Sequence, residues 1–310
     1  MRALLMVDPG EELHARLCRQ FAMVEFVRGE EDPSAEVALC GHVSADWLER
    51  HPALRWLHVW SAGVNHLPLA ELRKREILLT NSSGVHGPQM AEHVLGMMLA
   101  FASRLPELLA AQQRGEWIKR SLHEERFQLE GQTLLVIGLG GVGGALARKA
   151  HALGMRVLGL RRTADPADLP IERLYGTGEL EEALMEADHI ALCLPLTEAT
   201  HHFLGEQALR RCKPTAYVYN VGRGQSIDQA ALIRALTEGW IAGAGLDVTD
   251  PEPIPPEHPL WKCPNLILTQ HTSGWSPHNA RRIVHLFAEN LGRYLAGEPL
   301  ANQVNYSLGY

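Results

Sequence analysis

The chain has 310 residues, of which 46% are hydrophobic, and 29 basic against 36 acidic side chains leave a net charge of −7. That is enough apolar material for one large domain or two ordinary ones, and an acidic balance without a basic block argues against nucleic acid or an anionic membrane as principal partner. There is no run of about 20 apolar residues to make a transmembrane helix. Met1–Asp8 is apolar too briefly for a signal peptide and reads as a first strand. Cys18, Cys40, Cys193, Cys212 and Cys263 are odd in number and scattered, which fits reduced core thiols in a cytoplasmic protein and neither a disulfide framework nor a zinc site. The 16 histidines carry no metal-site signature, so no metal is expected.

In chain order, short apolar runs alternate with helical patterns. Strands are expected at Ala3–Val7, Met23–Val27, Val37–Cys40, Leu54–Trp60 and Ile77–Thr80, with helices at Glu11–Gln20, Ala45–Arg50 and Leu67–Lys74. Such alternation predicts parallel βαβ units. Gln89–Phe101 is a long helix, apolar on most faces and therefore buried. Ser103–Glu130 breaks the rhythm. Arg104, Arg114, Lys119 and Arg120 mix with Trp117, Leu122 and Phe127, and no strand appears. From the residues alone this is a solvated helix and loop. Six further strands follow, at Thr133–Ile137, Arg156–Leu160, His189–Cys193, Ala216–Asn220, Ile241–Asp247 and Leu266–Thr269. Between them lie helices at Val142–Leu153, Leu180–Glu186, Gln207–Arg211 and Gln229–Glu238, and a final helix covers Ser276–Leu295. This is the doubly wound α/β pattern. The expected division is residues 1–100 plus 285–310 as one domain and 101–284 as a dinucleotide-binding domain.

Two constellations carry chemistry. Thr133–Ile137 runs into Gly138-x-Gly140-x-x-Gly143 and then a helix. Glycines there permit a tight turn and close approach of backbone to a pyrophosphate, while the helix start, with Gly141 and Val142, offers N–H donors to the phosphates. The second is a trio set after three strands: Arg223 in Asn220-Val221-Gly222-Arg223-Gly224, Glu252 in Thr249-Asp250-Pro251-Glu252-Pro253, and His271 in Thr269-Gln270-His271-Thr272. Loops after parallel strands converge on one sheet edge. A guanidinium grips a carboxylate by two prongs, an imidazole moves a proton near neutral pH, and a carboxylate orients that imidazole and favours its charged form. Reduction of a 2-keto acid needs these groups. The second strand of the nucleotide fold ends in Arg161-Arg162 where an NAD-binding fold places an acid, Asp165 coming later. Two guanidinium groups there suit a 2′-phosphate, hence NADP with NADPH preferred over NADH.

The chain resembles the D-isomer-specific 2-hydroxyacid dehydrogenase family from about Leu54 to about Leu295. The resemblance is carried by Ser61-Ala62-Gly63-Val64-Asn65, Thr80-Asn81-Ser82-Ser83-Gly84-Val85-His86, Ala91-Glu92-His93, the glycine turn, Leu194-Pro195-Leu196-Thr197, Val221-Gly222-Arg223-Gly224, Gly245-Leu246-Asp247-Val248, Glu252-Pro253 and Gln270-His271. It implies two doubly wound, Rossmann/flavodoxin-like α/β domains with the active site in the cleft between them, a nicotinamide cofactor, and a homodimer to which 103–130 contributes an arm. It implies substrate contact by Gly63 and Val64, and cofactor contact by Leu194, Pro195, Val221, Gly222 and Asp247. Gln270 stands where many relatives have proline, and Asn65 replaces a common aspartate. Trp275 either shapes the substrate pocket or belongs to the core. The expected function is therefore an NADP-dependent oxidoreductase of small 2-keto or D-2-hydroxy acids, such as glyoxylate or hydroxypyruvate. The alternative is a nucleotide-sensing binding protein like the related corepressors, which the intact trio disfavours. A formate dehydrogenase is a weaker relative still, because it carries an amide where this chain has Glu252.

Overall fold

A computed structural model describes residues 1–118, 125–162 and 168–307. They divide into two compact units, Met1–His86 with Ser276–Tyr310, and Gly87–Trp275. The expected boundaries near 100 and 285 fall inside two long helices, whereas the compact units divide close to the starts of those helices.

The first unit holds strands β1 (Arg2–Leu5), β2 (Glu25–Arg28), β3 (Val37–Cys40), β4 (Trp56–Val59) and β5 (Leu78–Asn81), with helices α1 (Glu11–Gln20), α2 (Ala45–Arg50) and α3 (Leu69–Lys74). The five strands form one parallel sheet in the order β2-β1-β3-β4-β5. Successive strand residues point to opposite faces, and both faces are covered. Leu4, Ala38, Cys40, Leu57, Val59 and Leu79 pack with Trp47, Leu48 and Leu72 of α2 and α3. Ala3, Leu5, Val37, Leu39 and Trp56 pack with Leu17 of α1 and with Ile283, Val284, Phe287 and Leu291 of the last helix, Asn279–Ala296. The apolar strand runs in the sequence follow from this two-sided burial.

The second unit begins with α4 (Gly87–Ala102) and α5 (Leu105–Arg114). It continues through β6 (Thr133–Ile137), α6 (Gly141–Ala152), β7 (Arg156–Leu160), β8 (Arg173–Tyr175), α7 (Leu180–Glu186), β9 (His189–Leu192), α8 (Glu206–Leu209), β10 (Tyr217–Asn220), α9 (Gln229–Thr237), β11 (Gly243–Leu246) and β12 (Leu266–Leu268). Its parallel sheet has seven strands rather than the expected six, in the order β12-β11-β10-β9-β6-β7-β8. The extra strand is β8, three residues at the edge with Arg173 exposed, too short and too polar to read as a strand from sequence. Alternation again feeds two cores. Leu135, Ile137, Leu158, Ile190 and Val218 meet α7, α8 and α9 through Leu184, Leu209 and Leu232. Leu134, Val136, Val157 and Tyr219 meet α4 and α6 through Val94, Met98, Leu146 and Ala147. The chain goes outward from β6 through β7 to β8 and then returns to β9 on β6's other side, so strand order reverses between β6 and β9. That reversal is where open α/β sheets bind ligands, at the carboxyl ends of the strands.

Within the expected arm, α5 is helical and starts from a left-handed Arg104, while Lys119, Arg120 and Leu122 lie outside the described residues. No single described helix is long and apolar enough to cross a membrane. The pair α4 and α5 passes that test jointly but is bent by 65°, and α4 is built into the core above.

Candidate active site

The glycine turn lies at the strand-order reversal. Gly138 has φ +92°, a left-handed value that a side chain rarely adopts. A Cβ on Gly143 would come within 1.9 Å of the Gly138 carbonyl oxygen, so α6 can pack this close to β6 only with glycine there. Gly140 stands at the N-cap of α6, and no side chain caps the first turn. Its N–H groups and the positive end of the helix dipole therefore suit an anionic phosphate. The loop after β9 closes the other side: Cys193 N donates to Ile137 O at 2.8 Å, and a Cβ on Gly138 would meet Cys193 O at 2.9 Å and Leu194 Cδ2 at 3.0 Å. A Cβ on Gly222 would meet Leu194 O at 2.5 Å. The structure thus gathers Gly138, Gly143, Leu194 and Gly222 into one backbone cradle, and its donor set fits a dinucleotide.

Arg161 and Arg162 directly follow β7, and Arg161 N donates to Tyr175 O at 3.1 Å. Thr163 and Asp165, which follow the arginines, lie outside the described residues.

Each member of the trio is held by its own loop. After β10, Asn220 Oδ1 accepts from Gly222 N at 3.0 Å and Asn220 Nδ2 donates to Arg223 O at 2.8 Å, which fixes the turn. Asn220 is buried and was legible only as a strand end, although Asn bonding its own backbone two residues on is a known turn device. The Arg223 guanidinium donates to Gly222 O at 2.7 Å. Burial lowers its pKa, opposed by the nearby charge of Glu252. Both glycines flanking Arg223 are crowded by backbone from other loops. Gly222 presses on Leu194, and a Cβ on Gly224 would come within 1.9 Å of Thr249 O, so they let neighbouring loops touch backbone to backbone.

After β11, Glu252 Oε1 accepts from Thr249 N at 2.9 Å, and Glu252 Oε2 lies 2.8 Å from His271 Nδ1. A carboxylate only accepts, so Nδ1 carries the hydrogen and Nε2 is the nitrogen left for a substrate. His271 itself has φ +54°, unusual for a residue with a side chain. Asp247 holds it there. Its backbone oxygen accepts from His271 N at 2.7 Å, while its carboxylate accepts from Thr269 Oγ1 (2.6 Å), Thr272 N (3.0 Å) and Ser273 N (3.0 Å). Burial pushes this carboxyl up, but the bonds from Ser273, Thr269 and Thr272 outweigh it and hold the group below the usual carboxylate range. His93 of α4 reaches the same place, with Nε2 3.0 Å from Thr269 Oγ1. His93 and Thr269 had no assigned role in the sequence, because no spacing links a helix residue to a strand end 176 positions away.

Trp275 is 78% exposed and is no part of the core; its N–H closes the His271 turn on Thr272 O at 3.0 Å. In the first unit, Gly63 and Val64 follow β4. Their turn is pinned by Ser61 Oγ to Gly63 O (2.7 Å) and Asn81 Nδ2 to Ala62 O (2.8 Å), with the Val64 side chain buried.

Residues 95–273 match the family model described as D-isomer specific 2-hydroxyacid dehydrogenase, NAD binding domain. A glyoxylate reductase of Korarchaeum cryptofilum is 38% identical over 269 residues, covering 85% of this chain and 80% of that protein. Among solved structures, a D-isomer specific 2-hydroxyacid dehydrogenase from Xanthobacter autotrophicus Py2, in complex with NADPH and MES, superposes with TM-score 0.85 at 28% identity and covers 99% of both chains. An NADPH-dependent glyoxylate/hydroxypyruvate reductase from Sinorhizobium meliloti gives TM-score 0.78 at 26% identity, covering 99% of this chain and 98% of that one. The chain belongs to the D-isomer specific 2-hydroxyacid dehydrogenase family.

Proposed function

We propose that this protein is an NADPH-dependent reductase of small 2-keto acids, glyoxylate and hydroxypyruvate among them, with Arg223, Glu252 and His271 at its reacting centre. The observation that carries this reading is the 2.8 Å contact between Glu252 and His271, made by loops from different strands at the edge that also bears Arg223. Bound at the glycine cradle, a nicotinamide nucleotide supplies hydride to the carbonyl carbon. Arg223 takes the substrate carboxylate, and its partial burial strengthens the charged bonds it makes. His271 gives the proton on Nε2 to the carbonyl oxygen as the alcohol forms, and Glu252 accepts from Nδ1–H and so orients the ring. In the reverse direction the same nitrogen takes the hydroxyl proton.

Gly138, Gly140, Gly141, Val142, Gly143, Leu194, Pro195, Val221 and Gly222 take the cofactor in this reading. The 2′-phosphate goes to Arg161 and Arg162, and one relative in complex with NADPH and one described as NADPH-dependent support that choice. Gly63 and Val64 remain assigned to substrate by resemblance, and Trp275 by its place just after the His271 segment. Self-association to a dimer is part of the proposal. It is supported by exposed Leu105, Leu108 and Leu109 on α5 and by Trp117 at 92% exposure, all within the arm the resemblance implies. Steady-state NADPH and NADH oxidation with a panel of 2-keto acids tests the function. Turnover of none of them would leave a nucleotide-sensing protein as the better reading.

A further inference from the structure

The catalytic turn is tied to α4 through His93. Asp247 accepts from Thr269 Oγ1 at 2.6 Å, and because an ionised carboxylate only accepts, the Thr269 hydroxyl hydrogen is committed to it. The bond from His93 to that hydroxyl, at 3.0 Å, must therefore run the other way, Nε2–H donating to Oγ1. His93 Nε2 also lies 3.8 Å from Asp247 Oδ1. The chain reads His93 to Thr269 to Asp247, and from Asp247 to the backbone of His271, Thr272 and Ser273. Thr269 and His271 stand on either side of Gln270, and His271 is in the left-handed region, which is strained for a residue with a Cβ. A turn of that kind persists only when its surroundings over-determine it.

We propose that His93 and Thr269 are positioning residues for the reduction. They fix the Asp247 carboxylate, and through it the left-handed turn, so that His271 presents Nε2 to the substrate while Nδ1 stays on Glu252. This rests on His271 being the acid. Without the Thr269 hydroxyl, Asp247 loses a donor and the turn gains freedom. The displacement is a fraction of an ångström, and a misplacement of about 1 Å can cost on the order of 10²-fold.

The full-length protein with Thr269→Val, Thr269→Ser, His93→Leu and the Val/Leu double variant tests this. Thr269→Val should lower kcat for glyoxylate about tenfold, with KM for glyoxylate changed less than about twofold. Thr269→Ser, which keeps the hydroxyl, should restore kcat. His93→Leu should lower kcat similarly, and the double variant should be little worse than either single one, since both cut the same chain. Hydrogen exchange of the Thr272 and Ser273 amides should quicken in Thr269→Val but not in Thr269→Ser, and this readout does not depend on turnover. Retained kcat in Thr269→Val, failure of Thr269→Ser to restore it, or effects that simply multiply would overturn the proposal. His271→Gln is assayed alongside. If that variant keeps its kcat, the acid assignment falls and the positioning proposal with it. If it loses kcat while Thr269→Val does not, only the positioning proposal falls.

Discussion

Gly224→Ala is the smallest change that separates the loops of Arg223 and Glu252. The ideal Cβ at Gly224 lies 1.9 Å from Thr249 O, 2.1 Å from Thr249 C and 2.8 Å from Asp250 N. Real Cβ contacts stay beyond 3.0 Å, so the two loops must part by 3.0 − 1.9, or 1.1 Å. All three atoms are backbone, and no rotamer change relieves the overlap. Gly224 does not have a positive φ, so alanine is allowed by its own conformation and the steric contact is isolated. The peptide pushed away joins Thr249 to Asp250, and it is Thr249's own N–H, one peptide earlier, that holds Glu252 Oε1. Glu252 therefore shifts against His271 while Arg223 shifts on the other side. Overpacking costs about 1–3 kcal/mol against a typical net stability of about 5–15 kcal/mol, so the variant folds. A shift near 1 Å at reacting groups costs on the order of 10²-fold. We expect kcat/KM for glyoxylate to fall by about that factor, read from NADPH oxidation at 340 nm (an ordinary spectrophotometric assay, roughly as used for any nicotinamide enzyme), with circular dichroism showing a folded chain. Gly96→Ala is the control. No atom lies within 4 Å of its Cβ, and it sits in α4, so it should keep full activity and gain up to about 1 kcal/mol of helix stability. A Gly224→Ala variant with unaltered kcat/KM would refute the view that backbone contact between these loops sets the site.

Arg223→Ala should lower kcat/KM for the keto acid by on the order of 10²-fold, from the loss of charge-assisted bonds of about 1.5–3 kcal/mol, while NADPH binding followed by fluorescence changes little. Replacing Arg161 and Arg162 together with Ser should weaken NADPH and leave NADH nearly unchanged, erasing most of a preference of about 10²-fold; equal use of both cofactors by the unaltered protein would overturn that assignment. Acid should destabilise both units. His58 and His189 are buried and their pKa values fall from 6.5 to about 3 and about 4, chiefly through burial. Their folded values lie below the unfolded one, so stability is full above pH 6.5 and is lost as pH falls from there toward the folded values. At pH 5 each costs about 2 kcal/mol, which urea titrations at pH 7.5 and 5 would detect. His58→Gln should flatten that pH dependence, and an unchanged slope would contradict the assignment.

The sequence made the sheets legible because both faces of each are buried. Leu134 and Val136 feed one core and Leu135 and Ile137 the other, so β6 is apolar at four successive positions and stands out as a strand. β8 was invisible because it sits at the edge and has too few residues to show a period. Arg223, Glu252 and His271 were legible because each follows a strand, and parallel topology sends such loops to one edge. Their supports were not. Asn220 looks like the last residue of a strand, and Thr269 like a strand end before the histidine. His93 lies on a helix that reads from its apolar residues as a core element. What makes these residues supports is a hydrogen bond through space, and a single sequence has no period or spacing for that. The reason for glycine on both sides of Arg223 is hidden likewise, since the crowding by Leu194 and Thr249 comes from other loops.

The proposed chemistry rests most directly on His271. The measurement is kcat for NADPH-driven reduction of glyoxylate and hydroxypyruvate by the unaltered protein and by His271→Gln, with NADPH affinity determined in parallel. Loss of a positioned acid should lower kcat by about 10²-fold or more while NADPH still binds. A His271→Gln protein that binds NADPH and turns over either keto acid at the unaltered rate would contradict the account.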